Sequence, residues 1–257
     1  MISKTKVISP SDDDDIKLTL SKACDMYNKA YTTSCAFYTK FLSPQEANLI
    51  KQRFPRGDIT ISFFGGYDDA ERCICGFGNG DDFYFPITAL RVKCKSKNAQ
   101  LSHRDYMGTV LSLGLKRETL GDIITEDGGA VILCLEEIAD YICDNLVKVG
   151  GIGVSVFKEE PLEVLKIERN YSEISATVSS LRCDSVIAAA LRLSRTKASE
   201  LIDRGLATHN YEIIKSAHRM VEDEDVLSVR GYGKFKVKTT GNLTKKGRVH
   251  IDILKYI

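Results

Sequence analysis

The sequence predicts an α+β protein of several domains, and three observations predict it. Residues 81–160 alternate strand and helix patterns in the order β-α-β-β-α-β. Residues 1–80 are dominated by helix starts and helical spacing, with strand character near their end. Residues 181–257 place two short helices ahead of a run of short strands. A polar stretch, residues 161–180, reads as a linker. The length of 257 residues suits two or three modest domains, and 43% apolar content is enough for a packed core.

In the first segment, Asp12, Asp13, Asp14 and Asp15 would repel one another inside a helix but suit its solvated first turn. Ser43-Pro44-Gln45-Glu46 is a helix start. Ser43 caps, Pro44 fits the first helical position, and Glu46 closes a capping box. Ala47, Leu49 and Ile50 carry that helix until Pro55 and Gly57. Residues 59–64 form a strand closed by Gly65-Gly66.

In the middle segment, residues 87–93 alternate as a strand. Residues 103–113 form a helix, with Ser102 as its cap and Gly114 at its end. Residues 122–125 and 130–135 are strands joined by the turn Glu126-Asp127-Gly128-Gly129. Residues 136–147 are a helix with Ile138, Tyr141, Ile142 and Leu146 on one side, and residues 154–158 are a last strand. This order is the split βαβ arrangement of ferredoxin-like and RNA-recognition-motif folds. An RNA-recognition motif stacks bases on aromatics of its central strands. The strand at residues 130–135 has no aromatic, Lys or Arg. Structural support or protein contact is therefore the expected role of this sheet. Beyond it, the linker has one apolar cluster at residues 164–167 and an extended segment at residues 171–178.

The formal net charge of +1 hides an asymmetry. Residues 181–257 hold 15 Lys or Arg and 9 Asp or Glu, a net of +6, while the remainder carries a net of −5. A basic module joined to an acidic body fits a polyanion partner reached through one domain. A surface kept basic for solubility gives the same count. No apolar run is long enough to cross a bilayer. The N-terminus lacks the pattern of a secretory signal, so a cytoplasmic location is expected. The eight cysteines are scattered without a Cys-x-x-Cys pair. Cys73 and Cys75 share a strand face, a weak zinc signal, and reduced buried thiols are the better account.

Several segments imitate catalytic motifs. His103-Arg104-Asp105 copies the protein-kinase triplet, but the Asn required five residues after the Asp is Val110, and no Asp-Phe-Gly follows. The triplet stabilises a helix start or contacts a partner. Gly76-x-Gly78-x-Gly80 and Gly150-Gly151-x-Gly153 lack the Gly-Lys-Ser/Thr of a P-loop and read as turns. His209, His218 and His250 have no convincing nucleophile partner. No enzyme, cofactor, metal or small-molecule substrate is expected.

The basic module begins with a helix at residues 181–193, where Val186, Ile187 and Ala190 keep helical spacing. A second helix runs over residues 194–205. Ser194 caps it, Ala198, Leu201 and Ile202 face inward, and Gly205 ends it. Its N-terminus favours a phosphate, and Arg195 and Lys197 add charge there. Strands follow at residues 207–209, 213–215, 226–229, 235–238 and 249–254.

Arg182-x-Asp184, Ser194-Arg195-x-x-Ala198 and Leu201-Ile202-x-x-Gly205-x-Ala207-x-His209-Asn210 resemble the S-four RNA-binding domain, named after the fourth protein of the small ribosomal subunit. Cys183 and Ala207 depart from the usual Leu and Val, which touches packing. Phe41-Leu42-Ser43-Pro44-Gln45-Glu46, Gly65-Gly66-Tyr67-x-x-Ala70-Glu71-Arg72 and the run from His103 through Gly114 extend the likeness. Lys116-Arg117-Glu118, Gly121-Asp122-Ile123 and Ser228-Val229-Arg230-Gly231-x-Gly233-Lys234-Phe235 complete it. Together they resemble the YlmH family of bacterial proteins over nearly the whole chain. The resemblance implies a ferredoxin-like (RRM-like) middle domain at 81–160 and an S-four domain at 181–257. It implies binding of rRNA and tRNA on the large ribosomal subunit carrying a stalled peptidyl-tRNA, in ribosome-associated quality control. A link to cell division is also attached to the family.

Carried over by position, Arg182, Ser194, Arg195, Lys197 and Arg204 meet RNA backbone. Arg230, Lys234 and Lys236 lie on or beside one strand, and Lys245, Lys246 and Arg248 form a basic loop. Asp184 is expected to partner Arg182 or cap the helix. The acidic run Glu222-Asp223-Glu224-Asp225 is expected to face away from RNA. Two other readings stand beside this one. S-four domains are often appended to pseudouridine synthases and rRNA methyltransferases, but this body is short and shows no evident methyl-donor loop. A protein-interaction scaffold linked to cell division, docking through the acidic domains, is the third.

Overall fold

The computed structural model describes residues 1–80, 82–96, 100–159, 171–243 and 247–256. The chain divides into two units, Met1–Ile167 and Glu168–Ile257. No helix among the described residues is long and apolar enough to cross a membrane.

Unit one starts with a short helix, α1 (Lys4–Val7), and a long one, α2 (Asp14–Thr33). The Asp13 carboxylate accepts the Ile16 N–H at 2.8 Å, so the aspartate run is an N-cap followed by Asp14 and Asp15 in the first turn. Asp12 takes a different role: it receives both terminal nitrogens of Arg53, at 2.6 and 3.0 Å. Strand β1 (Phe37–Tyr38) precedes α3 (Pro44–Arg53), which has the expected capping box at Ser43 and Glu46. Ile16, Leu20, Ala23, Tyr27 and Ala30 recur at helical spacing along α2 and bury against Ala47, Ile50 and Phe54.

Strands β2 (Thr60–Phe64) and β3 (Ile74–Gly78) join β1 in a small antiparallel sheet of order β1-β3-β2. This corrects the reading of Gly76 and Gly78 as turn residues. Both lie in the central strand, buried throughout. They are small because rings press on the backbone: a Cβ on Gly76 would stand 2.7 Å from the Phe83 ring. Gly80, with φ +89°, keeps a turn conformation.

The middle segment supplies β4 (Ile87–Cys94), α4 (His103–Ser112), a 3-10 turn (Arg117–Thr119), β5 (Leu120–Glu126), β6 (Gly129–Leu135) and α5 (Glu136–Asn145). A two-residue strand, β7 (Lys148–Val149), turns through Gly150-Gly151 into β8 (Ile152–Glu159). The antiparallel sheet runs β5-β6-β4-β8-β7. Its first four strands have the order of a ferredoxin-like sheet, and β7 is an unforeseen edge. At α4 the Asp105 carboxylate reaches back to Ser102, accepting its N–H at 2.8 Å and its hydroxyl at 2.7 Å. Tyr141, expected on the inner side of α5, is 46% exposed and donates its hydroxyl to the Leu113 carbonyl.

Every residue of β6 is buried, because both faces of the sheet are covered. Ala130, Ile132 and Cys134 pack under Tyr106, Val110 and Ile142 of the helices. Val131, Leu133 and Leu135, on the other face, pack on Phe41, Tyr67 and Ile74 from the first segment. The expected boundary near residue 80 is thus crossed by a shared core. Glycine permits the approach: a Cβ on Gly121 would stand 2.7 Å from the Phe41 ring and 2.8 Å from the Leu133 Cβ. Gly121→Ala is expected to cost about 1–2 kcal/mol by overpacking, read as a lower urea midpoint at unchanged slope. A wild-type midpoint would show that this contact is looser than described.

Unit two opens with β9 (Tyr171–Val178), within the stretch read as linker. The apolar cluster at residues 164–167 lies outside the described residues. Helices α6 (Cys183–Leu191) and α7 (Arg195–Asp203) follow, then β10 (Ala207–His209), β11 (Glu212–Ile213), β12 (Val226–Val229), β13 (Gly233–Leu243) and β14 (Val249–Tyr256). The antiparallel sheet has the order β11-β10-β12-β13-β14-β9. The segment at residues 171–178 pairs along the whole of the last strand, from Val178 opposite Val249 to Tyr171 opposite Tyr256. The helices cover one face: Val186, Ile187, Ala198, Leu201 and Ile202 pack on Leu227, Val229, Phe235, Val237, Ile251 and Ile253.

Candidate nucleic-acid interface

The charged ends of α6 and α7 are set by one turn. Arg192 ends α6 in the left-handed conformation, φ 55°, and the chain reverses through Leu193 into the Ser194 cap. The Ser194 hydroxyl accepts the Lys197 N–H at 3.2 Å. The N–H groups of Arg195 and Thr196 have no acceptor among the described residues. They point with the helix dipole at the end where an anion is favoured.

Asp184 lies beside this end, buried at 5% exposure. Arg182 donates to both its oxygens, at 3.2 and 2.9 Å, and Arg195 donates at 2.8 Å. The Ser185 N–H adds a fourth bond at 2.8 Å. Burial alone would raise this carboxyl; the Arg195 and Arg182 bonds outweigh it and hold the group below its ordinary value. Two guanidinium groups from two helices are thus oriented by one carboxylate, and half of Arg195 remains open to solvent. Lys197 is exposed and makes no ion pair among the described residues.

Arg204 caps the far end of α7. Arg230, in the turn after β12, donates its backbone N–H to the Leu206 carbonyl at 2.9 Å, which seats that turn beside the exit of α7. Both side chains are exposed and unpaired among the described residues. The nine residues of α7 put about 13 Å between the two basic ends, room for two separate phosphate contacts.

The remaining expected residues fall elsewhere. Phe235 and Val237 face the helices, so Lys234 and Lys236 alternate onto the opposite face of the sheet. Lys234 stands over the rings of Tyr211 and Tyr256, at 4.6 and 5.1 Å. Lys236 is drawn to Glu224 and is only 16% exposed. Arg248 donates to the Thr177 carbonyl at 3.3 Å. Lys245 and Lys246 lie outside the described residues. The acidic run builds a turn: Asp223 accepts the Thr239 N–H, Glu224 meets Lys236, and Asp225 accepts from Asn210 and the Glu222 N–H. His209 Nε2 lies 2.6 Å from Asp225, inside the fold rather than at a reactive surface.

A family model described as "Putative RNA-binding domain in YlmH" matches residues 80–163. The chain is also 31% identical over 215 residues to the "Ribosome-associated protein quality control protein P2" of Bacillus subtilis (strain 168), covering 82% of this chain and 83% of that one. The chain belongs to the YlmH family. A solved structure described as "Cell division protein ylmH from Streptococcus pneumoniae" aligns at 20% identity with a TM-score of 0.51, over 62% of this chain and 99% of that one. At that identity the likeness shows a shared fold. In this YlmH-family chain the region matched by the family model contains the sheet that is covered on both faces.

Arg192 escaped the sequence reading. It is exposed in the turn between the two helices, two residues before the Ser194 cap. Its signal was present: a basic residue just upstream of a phosphate-favouring helix start belongs with Arg195 and Lys197.

Proposed function

We propose that this chain is a non-catalytic RNA-binding protein of ribosome-associated quality control. Its second unit acts as an S-four-type domain that grips RNA backbone on the large ribosomal subunit carrying a stalled peptidyl-tRNA, with rRNA and tRNA as the RNA partners. A cytoplasmic location follows from such a partner. The observation that carries this reading is the pair of helix starts locked by Asp184, which fixes Arg182 and Arg195 beside the open N-terminus of α7. Fixed guanidinium groups at a helix N-terminus suit phosphate, and oriented charge loses less entropy on binding than free side chains. The name of the Bacillus subtilis relative and the description of the family model support the same reading.

Base stacking on the first-unit sheet has no place in it. The face that an RNA-recognition motif presents is packed here on Phe41, Tyr67 and Ile74. The test is photo-crosslinking of the full chain to large ribosomal subunits, followed by peptide mapping. Crosslinks within residues 182–204 and at the turn holding Arg230 are expected. Crosslinks confined to unit one would overturn the assignment of the grip to α6 and α7.

A further inference from the structure

The first unit holds a basic site of its own, built from residues of that unit alone. A cleft of about 660 Å³ opens between α2, the segment after β1 and the 3-10 turn. Two arginines line it. Arg72 donates from Nε to the Leu120 carbonyl and from Nη2 to the Phe41 carbonyl, at 3.0 and 2.9 Å. Arg117 donates from Nη1 to the carbonyls of Leu120 and Gly121, at 2.7 and 3.0 Å. Carbonyls orient these guanidinium groups but do not neutralise them.

Neither arginine makes an ion pair among the described residues. The carboxylates around them are otherwise engaged. Asp122 accepts the Tyr67 hydroxyl and the N–H groups of Glu71 and Arg72. Glu46 is held by Ser43 and Thr19, and Glu118 by Lys40. Lys22 and Lys116 stand exposed in the lining, also without an ion pair among the described residues. Asp15 and Glu46 are then the lining carboxylates without an ion pair among the described residues, against four such cations, Lys22, Arg72, Lys116 and Arg117. Burial, and next the charge of Arg72, push Arg117 down to about 10. The charges of Asp122, and of Glu46 at Arg72, offset part of this, yet burial outweighs them at both arginines, and an anion in the cleft supplies further compensation.

We propose that this cleft binds the phosphate of a nucleotide, free or within an RNA strand, with Arg72 and Arg117 on the phosphate and Leu18 and Met26 against the base. The apolar side of the cleft is real: Leu18 is 54% exposed and Met26 lies two turns further along the same face of α2. The volume suits a nucleotide-sized ligand. Three segments that carry the YlmH resemblance meet here, through Phe41, through Arg72, and through Arg117 and Asp122 of one stretch.

The test uses the isotope-labelled full chain and three probes: inorganic phosphate, adenosine monophosphate and a short single-stranded RNA. Saturable movement of the Arg72 and Arg117 guanidinium resonances and of the amides at residues 116–121 is expected. Lys22→Glu with Lys116→Glu, both on exposed side chains without a salt bridge among the described residues, should weaken binding at least about tenfold. Movement with the monophosphate assigns the site to free nucleotides as well as strands; movement with the oligomer alone assigns it to an RNA strand. An Arg195/Lys197 alanine variant should leave these shifts unchanged, which separates this cleft from the grip of unit two. No movement with any probe, or equal affinity in the charge-reversed variant, overturns the proposal.

Discussion

Replacing Arg195 and Lys197 together by alanine is expected to weaken binding to large ribosomal subunits roughly thirtyfold at moderate salt, about 2 kcal/mol in all. The slope of log affinity against log salt should fall by about two charges, since each phosphate contact releases about one counterion. The two residues contribute differently. Lys197 touches no carboxylate among the described residues, so its loss is expected to remove only what it gives to RNA. Arg195 shares Asp184 with Arg182, and its removal leaves that carboxylate still bonded by Arg182 and the Ser185 N–H. The variant should therefore melt close to the wild type. Weakened binding with an unchanged salt slope would mean that the two side chains act through shape rather than charge, and the phosphate assignment would fail.

Asp184→Asn should give the largest loss of stability, about 2–3 kcal/mol for unit two. Removing one partner of a buried ion pair costs about 3–5 kcal/mol, and solvent reaches Arg182 and Arg195 at 30% and 49% exposure, which reduces the penalty. The pH dependence carries a defined sign. The Asp184 carboxyl is held below its ordinary value in the folded state. Its contribution is therefore fully present above the unfolded value, about 3.9, and is lost as the pH falls through the lower folded value. Denaturation midpoints taken through the acid range should show this loss in the wild type and less of it in the variant. Parallel pH profiles would place the acid sensitivity elsewhere; Asp225, which is also held low against burial by Glu222, Asn210 and His209, is the next group to change.

The sequence showed the parts of the fold that local chemistry dictates. The Ser43 and Glu46 box, the Ser102 start of α4, the Gly128 hairpin and the Ser194 cap need only neighbouring residues, and each stands where the residues put it. It was poorest where distant groups decide. Gly76 and Gly78 look like turn glycines until Phe83 and Tyr38 are seen pressed on them. Strand β7 is two residues long and shows no period. The segment at residues 171–178 looks like a linker because its partner, β14, lies some 70 residues away in sequence.

The same division holds at the sites. The pairing of Arg182 with Asp184 is a two-residue relation and was legible; the arrival of Arg195 on the same carboxylate depends on the turn at Arg192. Strand alternation already separated Lys234 and Lys236 from Phe235, yet the charge count placed them with the helix-end arginines. Their engagement by Tyr211, Tyr256 and Glu224 depends on contacts beyond local pattern. Arg72 and Arg117 gave no signal as a pair, being 45 residues apart and joined only through backbone carbonyls.

The central claim is that unit two anchors the chain to the ribosome through charge at α6 and α7. Sedimentation of the purified full chain with ribosomes through sucrose gradients, at low and moderate salt, beside the Arg195/Lys197 double alanine variant, tests it most directly. The wild type should travel with large subunits and be released by salt, and the variant should stay nearer the top of the gradient. A variant that travels with large subunits like the wild type at both salts would contradict the claim.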